Sequence, residues 1–131
     1  MIKGRFDELS RIGIEGALRI GDRQLRTFLI LDTGFSGPYD LLIPPWASRE
    51  LGLESCNDIT TLRITSGEVK ACVVDLELYL DGLKYVVRAL VPFGYRSDSV
   101  LMSINLMSRI SRRVIIDFQD KEVNVELQES H

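Results

Sequence analysis

Asp32, Thr33 and Gly34 carry the clearest chemical signal in the chain. They follow the apolar run Phe28-Leu29-Ile30-Leu31 and open into Phe35-Ser36-Gly37-Pro38. A carboxylate is thus set where a buried-looking strand breaks into a glycine-rich turn. An isolated buried carboxylate is costly unless it changes its protonation. The group is therefore either exposed at the turn or placed there for chemistry. Glycine allows the sharp turn and close backbone approach that present the aspartate. The threonine hydroxyl can hydrogen-bond nearby backbone and fix that turn. Two such carboxylates held together cannot both ionise easily, so they share one proton. The charged member activates a water while the protonated member polarises a substrate carbonyl. A bare Asp-Thr-Gly also has a plain structural reading, an aspartate-capped turn after a strand.

Other chemistries lack their residues. The only histidine, His131, is the last residue. A frayed terminus is a poor place for the imidazole of a Ser-His-Asp or Cys-His site. That histidine with Cys56 and Cys72 cannot complete a tetrahedral thiolate-imidazole zinc site, so no metal is expected. No Gly-x-Gly-x-x-Gly and no P-loop lysine pattern occurs, and no cofactor is expected. Carboxylate chemistry remains. Asp117 is a second candidate, but no Thr-Gly follows it. It reads as a strand-end or turn residue.

The elements that must position Asp32 are mostly strands. Ile12 to Ile20 alternates with period two, Gly21-Asp22-Arg23-Gln24 reads as a hairpin turn, and Leu25 to Leu31 returns. Val69 to Leu80 and Leu83 to Val91 flank Asp81-Gly82, a strong turn signal. Val114 to Phe118 and Val123 to Leu127 flank Gln119-Asp120-Lys121-Glu122 as a last hairpin. Pro44 to Gly52 has the proline start and glycine end of a short helix. Ser103 to Ile110 reads as a second one, with Ser103 as N-cap and Ile104, Met107 and Ile110 facing inward. These elements predict an all-β fold, a small barrel or sandwich, with one or two short helices.

The 131 residues fit one domain, 1–131, and 45% hydrophobic with 27% charged residues supports a globular core. The net charge of -3 argues against a nucleic-acid partner. No apolar run approaches the ~20 residues of a membrane span, so no membrane partner is expected. The N-terminus lacks the apolar segment of a signal peptide, and Cys56 and Cys72 fit free thiols; together these predict a cytoplasmic protein. Trp46, Tyr39, Tyr79, Tyr85 and Tyr95 read as core and rim residues. Arg109 to Arg113, the one basic cluster, reads as a solvated face.

The order of motifs is apolar-Asp32-Thr33-Gly34-Phe35-Ser36-Gly37, Leu41-Leu42-Ile43-Pro44, a helix ending in Leu51-Gly52-Leu53, a Ser66-Gly67 turn, Val100 to Met107, and Ile115-Ile116-Asp117-Phe118. Over residues 10–127 it resembles the retropepsin-like, single-domain aspartic proteases, in particular their small prokaryotic members. The resemblance implies a small closed β-barrel that contributes one carboxylate per subunit of a homodimer. It implies peptide or protein substrates and a water nucleophile, with no cofactor. Asp32 takes the catalytic position. Thr33 takes the position that ties the two active-site loops across the dimer, and Gly34 the close-approach position. Ile64, Thr65, Ser66 and Gly67 take the place of the flap over a bound peptide, with Ile64 and Val69 flanking its tip. Two residues depart from the pattern. Phe35 stands where many members have a small or hydroxyl residue, and Ser103 where the family often has glycine. Both fit the alternative function, a non-catalytic peptide- or protein-binding module on the same dimeric barrel. A structural β-domain without a cleft is the third reading.

Overall fold

Alternating burial and tight turns build most of the chain. The computed structural model describes residues 1–53, 56–94 and 98–129. The elements run β1 (Ile2–Phe6), β2 (Ile12–Ile20), β3 (Arg23–Asp32), β4 (Leu41–Leu42), α1 (Pro45–Glu50), β5 (Ile59–Ile64), β6 (Gly67–Leu80), β7 (Leu83–Pro92), β8 (Val100–Ser103), α2 (Ile104–Ile110), β9 (Ser111–Asp117) and β10 (Glu122–Leu127). The strands form one sheet in the order β5-β6-β7-β4-β8-β3-β2-β1-β10-β9. An additional β6–β2 pairing, Ala17 opposite Tyr79, closes six strands into a barrel. The expected all-β barrel with two short helices is what the chain forms.

The β2–β3 turn is tighter than the sequence suggested. Ile20 pairs with Arg23, so the turn is Gly21-Asp22 alone, and Arg23 and Gln24 already belong to β3. Asp81-Gly82 turns β6 into β7, with Leu80 opposite Leu83. Asp117 accepts hydrogen bonds from the Gln119 and Asp120 amides, which caps the β9–β10 turn and gives it the expected structural role. β1 pairs with β10 and β2 inside the chain.

Pro44 and Pro45 start α1, and Gly52 follows it at φ +68°, a conformation that favours glycine. Ser103 caps α2: its hydroxyl oxygen accepts the Leu106 amide at 3.0 Å. Leu106, Met107 and Ile110 are the buried residues of that helix. Ile104, expected to face inward, is instead 42% exposed. Two helical turns give too few residues for the 3.6 period to specify a face.

The main core joins both faces of the barrel through Ile14, Leu18, Leu29, Leu78, Leu80 and Leu106, all fully or nearly fully buried. Each such side chain contributes about 1.5–3 kcal/mol on burial. Trp46, Tyr85 and Tyr39 are partly buried against the two core clusters. Tyr79 is half-buried, with its hydroxyl on Glu77. Tyr95 and His131 lie outside the described residues. No helix among the described residues is long and apolar enough to cross a membrane.

The cysteines overturn one expectation. Cys56 and Cys72 form a disulfide, with Cα atoms 5.7 Å apart. The β5–β6 register is the reason: it sets Cys72 opposite Ile59, only three residues after Cys56. The argument from free thiols to a reducing compartment therefore falls. The bridge closes a loop with a sequence separation of 16, for which chain entropy gives about 3 kcal/mol. Urea unfolding with and without a dithiol reductant should show a loss of that order, and Cys56→Ser should reproduce it. Equal midpoints in the two conditions would mean that the thiols are not paired.

Candidate active site

Strand order sets up the site. β8 runs parallel to β3, with Asp32 opposite Ser103, and antiparallel to β4, with Leu41 opposite Met102. The chain leaves β3 at Asp32, crosses the end of β8 and returns on its other side as β4. Residues 33–40 therefore arch over the start of α2.

The arch is fastened at both ends. At its start, the Phe35 amide donates to the Asp32 carbonyl at 3.1 Å, and the Ile104 amide donates to the Phe35 carbonyl at 3.1 Å. At its end, the Ser103 amide donates to the Asp40 carbonyl at 2.9 Å, and the Asp40 amide to the Arg88 carbonyl at 2.8 Å. Within the turn, the Gly34 amide donates to Asp32 Oδ1 at 2.9 Å. A Cβ at Gly34 would stand 3.3 Å from that same oxygen. Glycine thus keeps the amide available without crowding the carboxylate. Asp32 is half-buried, and Thr33 and Gly34 are exposed. Among the described residues, the Thr33 hydroxyl has no hydrogen-bond partner within the chain.

Phe35 turns away from solvent. It is buried with Leu42, Ala71 and Leu90, and Leu62, Val73 and Leu101 pack around them. This small cluster joins the Asp32 turn to the β5–β6 hairpin. The hairpin is two-stranded at its end, with Ile64 opposite Gly67 and Leu62 opposite Val69. Its turn is Thr65-Ser66, one residue earlier than the Ser66-Gly67 read from the sequence. Thr65, Ser66 and Gly67 are exposed, and Ile64 and Val69 are partly buried. Asp32, Thr33 and Gly34 therefore share one turn, and the strands leading to the Ile64–Gly67 tip rest on the neighbouring Phe35.

The sequence reading missed Asp40. Its side chain is 5% exposed and holds Arg109 through two contacts, Nη1 to Oδ1 at 2.7 Å and Nη2 to Oδ2 at 3.2 Å. Oδ2 also accepts the Arg88 amide at 2.8 Å, and Oδ1 the Asn105 side-chain amide at 3.4 Å. Arg109 is thus an anchor of α2 and not merely part of a solvated basic face. Arg113 of the same cluster pairs with Glu126 at 2.8 Å on the sheet surface.

Two measurements check this geometry. The carboxylate is the buried partner and the guanidinium the half-exposed one. Removing the cation should hurt more than neutralising the anion. Arg109→Met should cost about 3 kcal/mol, and Asp40→Asn, which keeps the shape and one of the two accepting oxygens and frees the guanidinium to turn to solvent, about 2 kcal/mol. Denaturation midpoints that reverse this order would contradict the anchoring role. In hydrogen exchange, amides 64–67 at the exposed hairpin tip should exchange much faster than those of Leu29 to Leu31 in β3. Equal protection would show a rigid hairpin.

No protein-family model matches the chain, and no curated protein matches it. Solved structures do. A retropepsin-like aspartic protease from Rickettsia conorii is 20% identical, with 95% of this chain and 88% of that one covered, at a TM-score of 0.71. EIAV protease, solved with the inhibitor HBY-793, is 12% identical over 79% of this chain and 90% of that one, at a TM-score of 0.56. The chain has the retropepsin-like fold.

Proposed function

We propose that residues 1–131 form one aspartic endopeptidase domain that works as a two-fold homodimer. The observation that carries this reading is Asp32 itself. It stands at the end of β3, in a turn whose Gly34 amide holds the carboxylate and whose ends are fastened to α2. The retropepsin-like fold agrees with that placement. Asp32 of each copy would face the other, and the pair would hold one proton. The charged carboxylate takes a proton from water as the water oxygen attacks the peptide carbonyl carbon. The protonated one gives its proton to the carbonyl oxygen. Collapse of the tetrahedral diol expels the amine, which leaves with the proton taken from water, while a diol hydroxyl returns its proton to the other carboxylate as the acid product forms. The exposed Thr33 hydroxyl would tie the two turns together across the axis. Ile64, Thr65, Ser66 and Gly67 would close over a bound peptide. No step requires a metal or a cofactor.

The second reading is a binding module on the same dimeric barrel. It is favoured by Phe35 and Ser103, which fill positions where the family pattern has smaller residues. Peptide cleavage separates the two. The purified chain, incubated with a diverse peptide mixture across acidic to neutral pH, should cleave with a bell-shaped profile. The pair loses its one proton on the alkaline side and gains a second on the acidic side. Asp32→Asn should lower kcat/KM roughly a thousandfold or more while leaving folding intact. A variant that cleaves as fast as the parent would end the peptidase reading. Peptide binding by both proteins without cleavage by either would establish the binding module.

A further inference from the structure

β6 and β7 have two faces, and the Asp32 arch uses only one of them. Ala71, Val73 and Leu90 pack toward the Phe35 cluster. Side chains alternate along a strand, so Cys72, Val74 and Val91 point the other way. On that side, between the strands and α1, lies a cavity of about 260 Å³. Pro45, Ser48 and Arg49 of α1 line it across from the strands, and Leu53 and Phe93 complete its apolar lining. The chemistry proposed for Asp32 makes no use of this space.

The walls are held by backbone and covalent links. Cys72 pairs with Val91 in the β6–β7 ladder. The Phe93 amide donates to the Lys70 carbonyl at 2.8 Å, and the Leu53 amide to the Ser48 carbonyl at 3.0 Å. The Cys56–Cys72 bridge is part of the lining and ties the segment after α1 to β6. Small-molecule sites are usually preformed hollows of this kind, mostly apolar with a few polar groups. An apolar cavity of about 150 Å³ takes up benzene, so this one has room for a longer hydrocarbon.

Only two polar side chains line the cavity among the described residues. The Ser48 hydroxyl is occupied, donating to the Leu53 carbonyl at 3.5 Å. Arg49 is exposed in the last turn of α1 and makes no hydrogen bond or ion pair among the described residues. No carboxylate among them lines the cavity. A second guanidinium stands close by: a Cβ on Gly52, next to Leu53, would lie 3.4 Å from Arg23 Nε. An apolar hollow with a cation at its edge and no anion selects an apolar molecule that carries one negative charge. A cation of the same shape is repelled, and a neutral molecule leaves Arg49 unused.

We propose that this cavity binds a small amphipathic carboxylate, with its hydrocarbon against Val74, Val91 and the disulfide and its carboxylate on Arg49. The site is separate from Asp32 and does not depend on the peptidase reading. The probes are octanoate, octan-1-ol and octylammonium, titrated at pH 7 into the oxidised, isotope-labelled chain. Octanoate should shift amide signals of residues 48–53, 72–74 and 91–94, with a dissociation constant of about 1 mM or tighter. Octylammonium should bind at least about tenfold more weakly. Arg49→Gln should weaken octanoate about three- to fivefold, as expected of a half-exposed ion pair, and leave octan-1-ol within about twofold. Val74→Trp fills the hollow and should abolish binding of all three. A second measurement needs no variant. Saturating octanoate should slow reduction of Cys56–Cys72 by dithiothreitol at least about threefold, because the bound chain covers the bridge. Octylammonium binding as tightly as octanoate, shifts centred elsewhere, or an unchanged reduction rate at saturation would each overturn the proposal, as would the absence of octanoate binding at several millimolar.

Discussion

The Asp40 carboxylate holds the arch that follows Asp32 to the rest of the molecule. Residues 33–40 contain Gly34, Gly37 and Pro38 and are mostly exposed. Left to itself, such a segment would be mobile, since ordering each residue costs about 1–2 kcal/mol of conformational entropy. Asp40 collects the Arg88 amide from β7 and the Asn105 and Arg109 side chains from α2. The carboxylate is buried, and its oxygens accept four hydrogen bonds from these three residues. A buried charge of this kind is tolerated only when its partners are complete. The position of Asp32 relative to α2 depends on that completeness, because the arch runs directly from Asp32 to Asp40.

A second fastener works by different physics. Phe35 joins the arch to β4, β6 and β7 through apolar contact. The two fasteners bracket the turn: Phe35 lies three residues after Asp32, and Asp40 ends the arch. A large side chain after the Asp-Thr-Gly is therefore not an intrusion beneath the carboxylate. It buries itself under the hairpin and couples the turn to the strands that would carry a bound peptide. That coupling makes the hairpin tip the natural place for motion, since its strands are anchored near Leu62 while Thr65, Ser66 and Gly67 stand in solvent.

Local signals were legible in the sequence. Period-two alternation marked β2, Asp81-Gly82 marked the β6–β7 turn, and two prolines with Gly52 marked α1. The Asp32 turn was legible because an apolar run ending in Asp-Thr-Gly is a local anomaly. What could not be read depends on residues far apart in sequence. Asp40 and Arg109 are brought together only because β8 threads between β3 and β4. Cys56 and Cys72 meet only once the β5–β6 register is set, and two cysteines in isolation gave no hint of it. β1 is short, and its Gly4 and charged residues mask a strand that forms because β2 and β10 supply partners on both sides. Ile104 was misassigned because the Ser103 cap and the arch contacts, not periodicity, orient the first turn of α2.

All of these fasteners lie on one side of Asp32 and belong to the chain itself. The other side ends in the exposed Phe118, packed on the half-buried Phe6, and a loop held by Asp7, Arg11 and Asp98. The structure thus fastens the turn that carries the Asp32 carboxylate from one side. Rigidity on both sides matters for association. A partner that docks against ordered loops loses little further conformational freedom, so more of the contact energy remains for holding two like charges close together. Bringing two carboxylates into one site opposes dimerisation unless they share a proton. Apolar contact away from the axis is the kind of interaction that can supply the opposing free energy without adding charge beside the pair. An exposed phenylalanine at the end of a well-ordered sheet is an apolar surface set apart from the arch that positions Asp32.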